Sequence, residues 1–377
     1  MAIQVQVWTN SEVSRELHRF DAYVLGRVAR PERREGREGP LILSTPFEDL
    51  GRATQTNLAL SRHPGWLLAL QQGLSHIPYC LEARQNETTR GLLPLAYVRS
   101  LLFGRFLVSL PYLNTGGVLT HDPAVGTLLI DRAVQLADEL KVRYLELRHE
   151  QPIDHPALTA QMADKVHMRL PLPPNSQELW NHLPSKVRNQ IRKAQKINLT
   201  VVWGSHDLLP EFYAVFSENM RDLGTPVYGL AFFQSILDQF PDQAELAVVR
   251  HGRVAVAVAL LLHGWGVSEV PSASSLRHYR ASNANMLLYW HLLERAIKRG
   301  NHVFDFGRSS KDSNTYRFKK QWGARPEPAV WQYYLRRGSI RDLRPENPKY
   351  QHLRRLWQHL PLALTRSIGP WIVRGIP

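Results

Sequence analysis

Two arginines at helical spacing give the sequence a candidate site for phosphate or another anion. The period of Val187 and Ile191 predicts a helix over residues 185–197, on which Arg188 and Arg192 face away from the apolar stripe. This i,i+4 spacing puts two guanidiniums side by side, which suits a pyrophosphate, a polyprenyl-phosphate head group or a tRNA backbone. A solvated basic helix face is the alternative interpretation.

A second group of candidate residues follows the strand-like run HVFDFG. Arg308, Tyr316 and Arg317 can clamp a phosphate, because arginine presents a planar fork that matches phosphate oxygens, whereas solvated loop charges would have no such role. Asp305 ends the strand, where functional side chains of α/β units emerge, so it can orient or deprotonate an attacking amine. An ion pair between Asp305 and Arg308 that closes the strand is an equal alternative.

Two further polar residues stand where a loop or a helix end can meet a substrate. Tyr228 lies in the loop TPVYG, which can cover a cleft, although packing is the commoner role of a tyrosine in a turn. Asn285 stands near the expected start of a helix that ends before Gly300, where free N–H groups offer an anion site. A plain N-cap at Asn283 or Asn285 is the alternative.

The charge of the chain is uneven along its 377 residues. The net charge is +14, and the excess lies in the segments 179–206 (+5), 306–325 (+5) and 336–377 (+7), so the remainder nets −3. Such patches are typical of proteins that meet phosphates, nucleic acid or an anionic membrane, or of faces kept charged for solubility. The apolar fraction of 44% excludes a mostly disordered chain.

Cysteine usage and the N-terminal segment limit the function classes further. Cys80 is the single cysteine, which excludes a disulfide framework and a Cys-rich metal site. No spacing of histidines and carboxylates matches a metal site, so we expect neither a metal nor a tightly bound cofactor. The start MAIQVQVWTN lacks the features of a secretion signal, and no apolar run is long enough to span a membrane. We expect a cytoplasmic protein.

One order of predicted elements occurs twice. From residue 77, a hairpin and a further extended run precede Asp122 and Pro123, which open an amphipathic helix that leads into the strand VRYLELR. The same hairpin, strand, helix and strand recur from AELAVVR to HVFDFG, and Glu146 corresponds to Asp305 at an offset of 159 residues. The repeat predicts two copies of one α/β unit, each a mixed sheet flanked by helices, with a cleft between them.

The repeat and the charge pattern also predict domain boundaries. Helices over 182–197 and 207–223, the second ended by Gly224, open the second unit. The predicted division is residues 1–165 for the first domain, about 30–56 for a mobile loop within it, 166–335 for the second domain with the expected active cleft, and 336–377 for a basic, aromatic-containing tail.

The tail mixes aliphatic and aromatic residues with arginines and is broken by Pro361 and Pro370. Leu353, Trp357 and Trp371 represent its apolar part. This composition suits the headgroup boundary of an anionic membrane, whereas a tail that packs back on the body is the alternative. The prolines prevent one long amphipathic helix.

Several runs of the sequence resemble the FemAB family, and more narrowly the FemAB-related proteins associated with PEP-CTERM/exosortase exopolysaccharide systems. The runs are RSLLFGRFLVSLPYLNTGG, SKVRNQIRKAQK, DLGTPVYG, ASSLRHYRASNANMLLYW and FDFGRSSKDSNTYRFKKQWGA. The resemblance covers roughly residues 57–335 and implies a tandem GNAT-like fold. It also implies a bacterial enzyme that transfers an acyl or aminoacyl group to an amine of a cell-envelope precursor, related to exopolysaccharide or peptidoglycan.

The resemblance assigns expected roles to individual residues. Lys319 follows Phe318 where Fem enzymes carry a Phe-Lys pair beside the transferred carbonyl, so it is expected to stabilise the developing oxyanion or the leaving group. Pro271 marks an edge or bulge in the run VSEVPSASS, and in the GNAT layout Ser274 and Ser275 line the opening that forms there. Asp305 and Lys319 are thus the expected catalytic residues, with the basic and polar residues above binding substrate.

The donor and the partners are left open by the resemblance. The donor is either aminoacyl-tRNA or acyl-CoA, and ASNANM stands where an ordinary GNAT protein has its coenzyme A pyrophosphate loop. The expected partners are a phosphate-bearing or lipid-linked precursor, tRNA, and an anionic membrane surface that holds the protein at the inner face of the membrane through its tail. An acetyl-CoA-dependent N-acetyltransferase and a non-catalytic tRNA- or membrane-binding module are the alternative functions.

Overall fold

Strand pairing in the computed structural model, which describes residues 3–10, 12–16, 60–63, 65–86, 88–339 and 348–376, produces two sheets of seven strands. The first sheet contains, in spatial order, β1 (Gln4–Thr9), β2 (Ile77–Gln85), β3 (Thr88–Ser100), β4 (Gly104–Val108), β5 (Tyr144–His149), β14 (Val330–Leu335) and β6 (Ala160–Met162). Among the described strands of this sheet, only β4 and β5 pair in parallel, so the sheet is mixed.

The second sheet repeats this order. It contains β8 (Leu199–Gly204), β9 (Ala244–His251), β10 (Val254–Gly264), β11 (Val267–Ser275), β12 (Val303–Ser310), β7 (Lys165–Pro171) and β13 (Arg325–Pro328). Here β11 and β12 are the parallel pair. The register confirms the predicted offset, because Val108 lies opposite Glu146 in the first parallel pair and Glu269 lies opposite Asp305 in the second.

The two halves of the chain exchange a strand. The sixth position of the first sheet is filled by β14, from the end of the second half, and the same position of the second sheet is filled by β7, from the end of the first half. The run AVWQYYL is therefore a strand, as its alternating pattern predicts, but it lies in the first sheet. The division at residues 165 and 166 stays a prediction.

Helices cover the two sheets. They are α1 (Trp66–Leu74), α2 (Pro123–Glu139), α3 (Ser176–His182), α4 (Ser185–Gln195), α5 (Leu209–Leu223), α6 (Leu230–Gln239), α7 (Ala284–Lys298), α8 (Asn314–Lys320), α9 (Pro348–Gln358) and α10 (Leu362–Val373). Their ends follow local chemistry: Asp122 Oδ1 accepts from the Ala124 N–H at 2.9 Å and caps α2, and left-handed Gly224 ends α5.

The hydrophobic core has a part inside each half and a part between them. The region between the halves joins α1 and the inner face of β2 and β3 to α5, α6 and β10, with Trp66, Phe212 and Phe232 among its large residues. Because this shared core is apolar, it fixes the two halves against each other and leaves only a cleft between them.

The tail packs on the body, in keeping with one of its two predicted placements. Helices α9 and α10 contact α5: the Arg366 Nε donates to the Ser217 Oγ at 2.8 Å, and Gly369 lies against Val227. The two helices are separate elements, and α10 begins directly after Pro361, as the proline pattern predicts. The predicted mobile loop at about 30–56 lies outside the described residues. None of the described helices is long and apolar enough to cross a membrane.

Candidate active site

The parallel strands β11 and β12 separate after three paired residues. Pairing runs from Val267 opposite Val303 to Glu269 opposite Asp305 and then stops. Pro271 lies where the register between β11 and β10 shifts, so the predicted bulge is present at this point. The separated strand ends open a pocket that faces the first half of the molecule. Its lining residues are Ser61, Leu113, Asn114, Leu262, Glu269, Val270, Pro271, Asp305 and Gly307.

Asp305 lies in this pocket as a buried, paired carboxylate. Its Oδ2 accepts from the Arg169 Nε at 2.9 Å, and its Oδ1 accepts from the Gly307 N–H at 2.6 Å. Burial raises the pKa of Asp305, but the Arg169 guanidinium and the other donors outweigh it, and the pKa lies below its ordinary value. Arg169 replaces the expected partner Arg308. An ionised carboxylate held in this way orients groups better than it accepts protons.

Glu269 is the second carboxylate of the pocket, and its pKa is shifted in the opposite direction to that of Asp305. Burial, with the nearby Asp305 charge in second place, raises the pKa of Glu269 to about 7. The Ser61 N–H donates to its Oε2 at 2.9 Å, which only partly offsets this shift. A carboxyl group with a pKa near neutrality can take a proton from a substrate amine and release it again, which is what a general base must do.

Lys319 reaches the same site from α8. Its Nζ donates to the Gly307 and Arg308 carbonyls, both at 3.0 Å, so Asp305 and Lys319 bind opposite groups of the chain around Gly307. The side chain is only 8% exposed, and burial lowers its pKa to about 8. Of its three N–H donors, two are occupied by these carbonyls. The structure thus brings the two expected catalytic residues together, and their roles stay predictions.

Arg308 lies between the two halves of the molecule. Its guanidinium carbon is 3.3 Å from the centre of the Trp331 ring, and that of Arg148 is 3.9 Å from the same ring. Burial and the neighbouring Arg148 lower the pKa of Arg308 to about 9, which still leaves it charged at neutral pH. Within the described residues its buried Nε makes no hydrogen bond. The phosphate-binding role expected of this cation stays a prediction.

The pair Arg188 and Arg192 lies on α4, as the sequence predicts, with Val187 and Ile191 buried beneath it. Arg192 is exposed and its guanidinium carbon lies 5.3 Å from the centre of the Trp180 ring. Arg188 is half-buried, and its Nε has no hydrogen-bond partner among the described residues. The helix thus presents its guanidiniums away from the core.

The aromatic residues around Lys319 pack against the second half. Phe318 makes an edge contact with Tyr289, with ring centres 4.9 Å apart, and Tyr316 is half-buried beside the same core. Arg317 is exposed. Phe318 and Tyr316 therefore anchor α8, which positions Lys319.

The remaining predicted site residues lie outside the pocket lining. Ser274 is buried and its Oγ accepts from the Asn219 Nδ2 at 3.1 Å, whereas Ser275 is half-buried. Asn285 is half-buried in the first turn of α7, and Asn283, in a left-handed conformation, occupies the cap position without a side-chain hydrogen bond. Tyr228 packs in the aromatic cluster between the halves, so its described contacts are structural. Its ring neighbours are Tyr112, Phe216, Phe232 and Phe233.

Residues 184–320 match the family described as "Acetyltransferase (GNAT) domain". The fold resembles a structure titled "Crystal structure of FemX", with a TM-score of 0.58 and 15% identity over 83% of this chain and 99% of that chain. The chain has a tandem GNAT-like fold.

Two further solved structures resemble this chain less closely. L-PGS from Bacillus licheniformis aligns with a TM-score of 0.47 and 13% identity, over 72% of this chain and 87% of that one. A tandem GNAT protein from the clavulanic acid biosynthesis pathway aligns with a TM-score of 0.48 and 11% identity, over 89% of this chain and 100% of that one. No curated protein matches the sequence.

The tandem GNAT pocket also contains residues that the sequence did not reveal. Arg169 comes from the exchanged strand β7 and binds Asp305, Glu150 Oε1 at 2.5 Å and Glu327 Oε2 at 2.8 Å. Glu269 stands between Ser268 and Val270 in β11, and its place opposite Asp305 in the parallel pair is what signals its importance. Across the described residues, no group of three or more His, Cys, Asp or Glu side chains is arranged to hold a metal ion.

Proposed function

We propose that this protein transfers an acyl or aminoacyl group to an amine of a phosphate-bearing cell-envelope precursor, of exopolysaccharide or peptidoglycan type. The observation that carries the proposal is Glu269, a buried carboxyl with a pKa of about 7 at the point where two parallel strands separate. The tandem GNAT-like fold supports an acyl transfer reaction, and the phosphate-bearing acceptor is inferred from the cations around the cleft.

The reaction assigns a role to each group in the pocket. The acceptor amine gives a proton to Glu269 as its nitrogen attacks the donor carbonyl and forms the new C–N bond. The bond from the carbonyl carbon to the leaving group then breaks, and the leaving oxygen or sulfur takes up a proton. Asp305, held ionised by Arg169, orients the amine through its remaining acceptor capacity.

The cations of the site complement the negative charge of the reaction. In this proposal the third N–H of Lys319 donates to the developing oxyanion of the substrate, and Arg308 neutralises a phosphate or the same oxyanion. Arg188 and Arg192 on α4, with Arg317, bind phosphates further from the reacting carbonyl. These interactions require no metal ion.

The donor is an aminoacyl-tRNA or an acyl-CoA, and the two can be separated by binding. Coenzyme A is titrated into the protein while the melting temperature is followed, since a ligand that binds the native state stabilises it by RT ln(1 + [L]/Kd). No shift with coenzyme A, together with tRNA binding that weakens steeply with salt, supports the aminoacyl donor. A clear shift supports an acetyl-CoA-dependent N-acetyltransferase, which the description of the matching family favours.

The proposed reaction itself is tested with labelled donors. Purified protein is incubated with labelled acetyl-CoA or charged tRNA and with amine-bearing peptidoglycan or exopolysaccharide precursors, and products are identified by mass spectrometry. We expect a new amide on the precursor. If no donor gives a product while tRNA or vesicles bind, the protein is a non-catalytic binding module and the proposal is wrong.

A further inference from the structure

Helix α10 is apolar on two faces, and only one of them is used. Thr365, Gly369 and Val373 lie on the inner face, where they are buried against the body. Leu364, Ile368 and Trp371 lie on the outer face at spacings of four and three residues, and they are 43%, 36% and 67% exposed. A surface helix normally turns charged and polar residues outward, so the outer face of α10 lacks its partner.

The turn between β3 and β4 lies beside the C-terminal end of α10 and adds a second exposed apolar element. Leu101 and Leu102 form its tip and are the two most exposed large hydrophobic residues of the described chain, at 107% and 77%. The turn adjoins the end of α10, because a Cβ built on Gly375 would lie 2.4 Å from the Ser100 Oγ. We call the outer face of α10 together with the Leu101–Leu102 tip the apolar rim.

Arginines flank the apolar rim. Arg99 and Arg105 lie directly opposite each other across β3 and β4, both exposed, although like charges in this position repel. The Arg143 Nη1 donates to the Phe103 carbonyl at 3.4 Å, and the Arg374 guanidinium carbon lies 3.9 Å from the centre of the Trp371 ring. Segment 348–376 carries five lysines and arginines and no acidic residue. The partner of the rim must therefore be both apolar and anionic.

We infer that the apolar rim docks this protein on an anionic lipid bilayer. An anionic bilayer offers hydrocarbon to the leucines and Trp371 and phosphate to the arginines, a combination that amphipathic interfacial segments use. A second copy of the chain would place the same arginines against each other, so the charge pattern disfavours a dimer through this face. The inference goes beyond the proposed reaction and does not depend on it.

Docking in this orientation brings the pocket close to the lipid surface. The Tyr112 hydroxyl donates to the Val373 and Arg374 carbonyls at 3.4 and 3.3 Å, which ties the end of α10 to the loop after β4. The next two residues of that loop, Leu113 and Asn114, line the pocket. The bilayer would therefore lie one loop away from the reacting groups.

The test measures binding to vesicles of phosphatidylcholine with and without phosphatidylglycerol by co-sedimentation. We expect binding only to the vesicles with phosphatidylglycerol, and the double variant Leu101→Asp/Leu102→Asp weakens it roughly tenfold or more. Val254→Asp is the matched control, because Val254 is also an exposed apolar residue beside a hairpin turn, and it leaves vesicle binding unchanged.

Three results would overturn the inference. They are failure to bind either vesicle, equal binding by the leucine variant and its control, and a dimer in light scattering that the leucine variant dissociates. Brominated lipid gives an independent readout, since it quenches the emission of Trp371, and Trp371→Phe removes that part of the quenching. Transfer to a water-soluble acceptor stays unchanged in the leucine variant, so loss of vesicle binding and loss of the proposed reaction can be told apart.

Discussion

The two parallel strand pairs of this molecule stand at equivalent positions, but different residues follow them: the pocket described above lies at the β11–β12 pair, and a buried arginine follows the β4–β5 pair. In the first half, Arg148 follows Glu146 by two residues, and its Nε donates to the Glu146 Oε1 at 2.6 Å. Its Nη1 donates to the Leu113 carbonyl at 2.7 Å, and only 2% of the side chain is exposed. The side chain therefore joins the end of β5 to the loop that contains Leu113.

In the second half, the residue at the same offset is Gly307. Its φ of 77° lies in the left-handed region, and a Cβ there would lie 3.0 Å from the Asn114 Nδ2 of the pocket lining. An arginine is thus replaced by a residue without a side chain, and Glu269 and Asp305 line the pocket beside it. From this comparison we expect the reactive site in the second half, beside Gly307, and a structural role for Arg148 in the first half.

The largest expected effect comes from making the second half like the first. Gly307→Arg fills the pocket and strains the backbone, so we expect transfer to be abolished. Gly300→Arg is the matched control, because Gly300 has a similar φ of 74° and nothing within 4 Å of its added Cβ. The transfer activity and the melting temperature of both variants are measured, so that loss of activity can be distinguished from loss of fold. Equal activity in both variants would contradict the assignment of the pocket.

Removal of the proposed base should have the next largest effect. Glu269→Gln lowers kcat by about 10²–10⁴, the usual contribution of a general base. In the parent, the rate rises with pH up to about 7 and then levels off as Glu269 ionises, and the variant loses this rise. Because the folded pKa is raised, ionisation also costs stability: the stability of the parent relative to Glu269→Gln falls as pH rises from the ordinary value of a glutamate to about 7.

Glu82→Gln serves as the control for that experiment. Glu82 is a buried carboxyl of β2 whose pKa is also raised, chiefly by burial, and it lies in the first sheet away from the pocket. We expect it to change the stability profile with pH but not the rate profile. A rate profile that is the same in parent and Glu269→Gln would show that another group accepts the proton.

A smaller loss is expected for Lys319→Ala, about 10²–10³ in kcat with little change in KM, because a transition-state donor is removed. The neighbouring Lys320→Ala is the control, since Lys320 is exposed whereas Lys319 is buried. Steady-state kinetics with both variants measure the contrast. If both lysines give the same small change, the ammonium group of Lys319 only supports the backbone at Gly307.

The smallest effect on transfer is expected in the first half. Glu146→Gln breaks the buried pair with Arg148, which costs about 3–5 kcal/mol of unfolding free energy. We expect transfer by the folded variant to fall less than tenfold, as denaturant unfolding and activity at low temperature will measure. A loss as large as that of Glu269→Gln would mean that the first half also takes part in the chemistry.

The element order, the offset between the halves and the bulge at Pro271 could be predicted because they depend on local patterns. Strand alternation, the Asp122 cap and the glycine turns are all visible within a few residues. The placement of Asp305 and Lys319 around Gly307 also follows from one short run of the chain, 304–324, which the family resemblance covers.

The partners of these residues could not be predicted, because they come from distant parts of the chain. Arg169 is 136 residues from Asp305, and it reaches the pocket only because β7 joins the second sheet. An alternating pattern reveals a strand but not the sheet it enters, so the exchange of β7 and β14 could not be predicted. The raised pKa of Glu269 arises from burial and from Asp305, which are tertiary features.

The exchange of β7 and β14 bears on how the chain matures during synthesis. The first sheet lacks the strand beside β5 until residues 330–335 have left the ribosome, although every residue of β5 is buried in the finished protein. A nascent first half would therefore expose an apolar, unpaired edge, a feature that invites aggregation. Neither half can complete its sheet alone, so folding requires nearly the whole polypeptide. We therefore expect the protein to unfold in a single cooperative thermal transition.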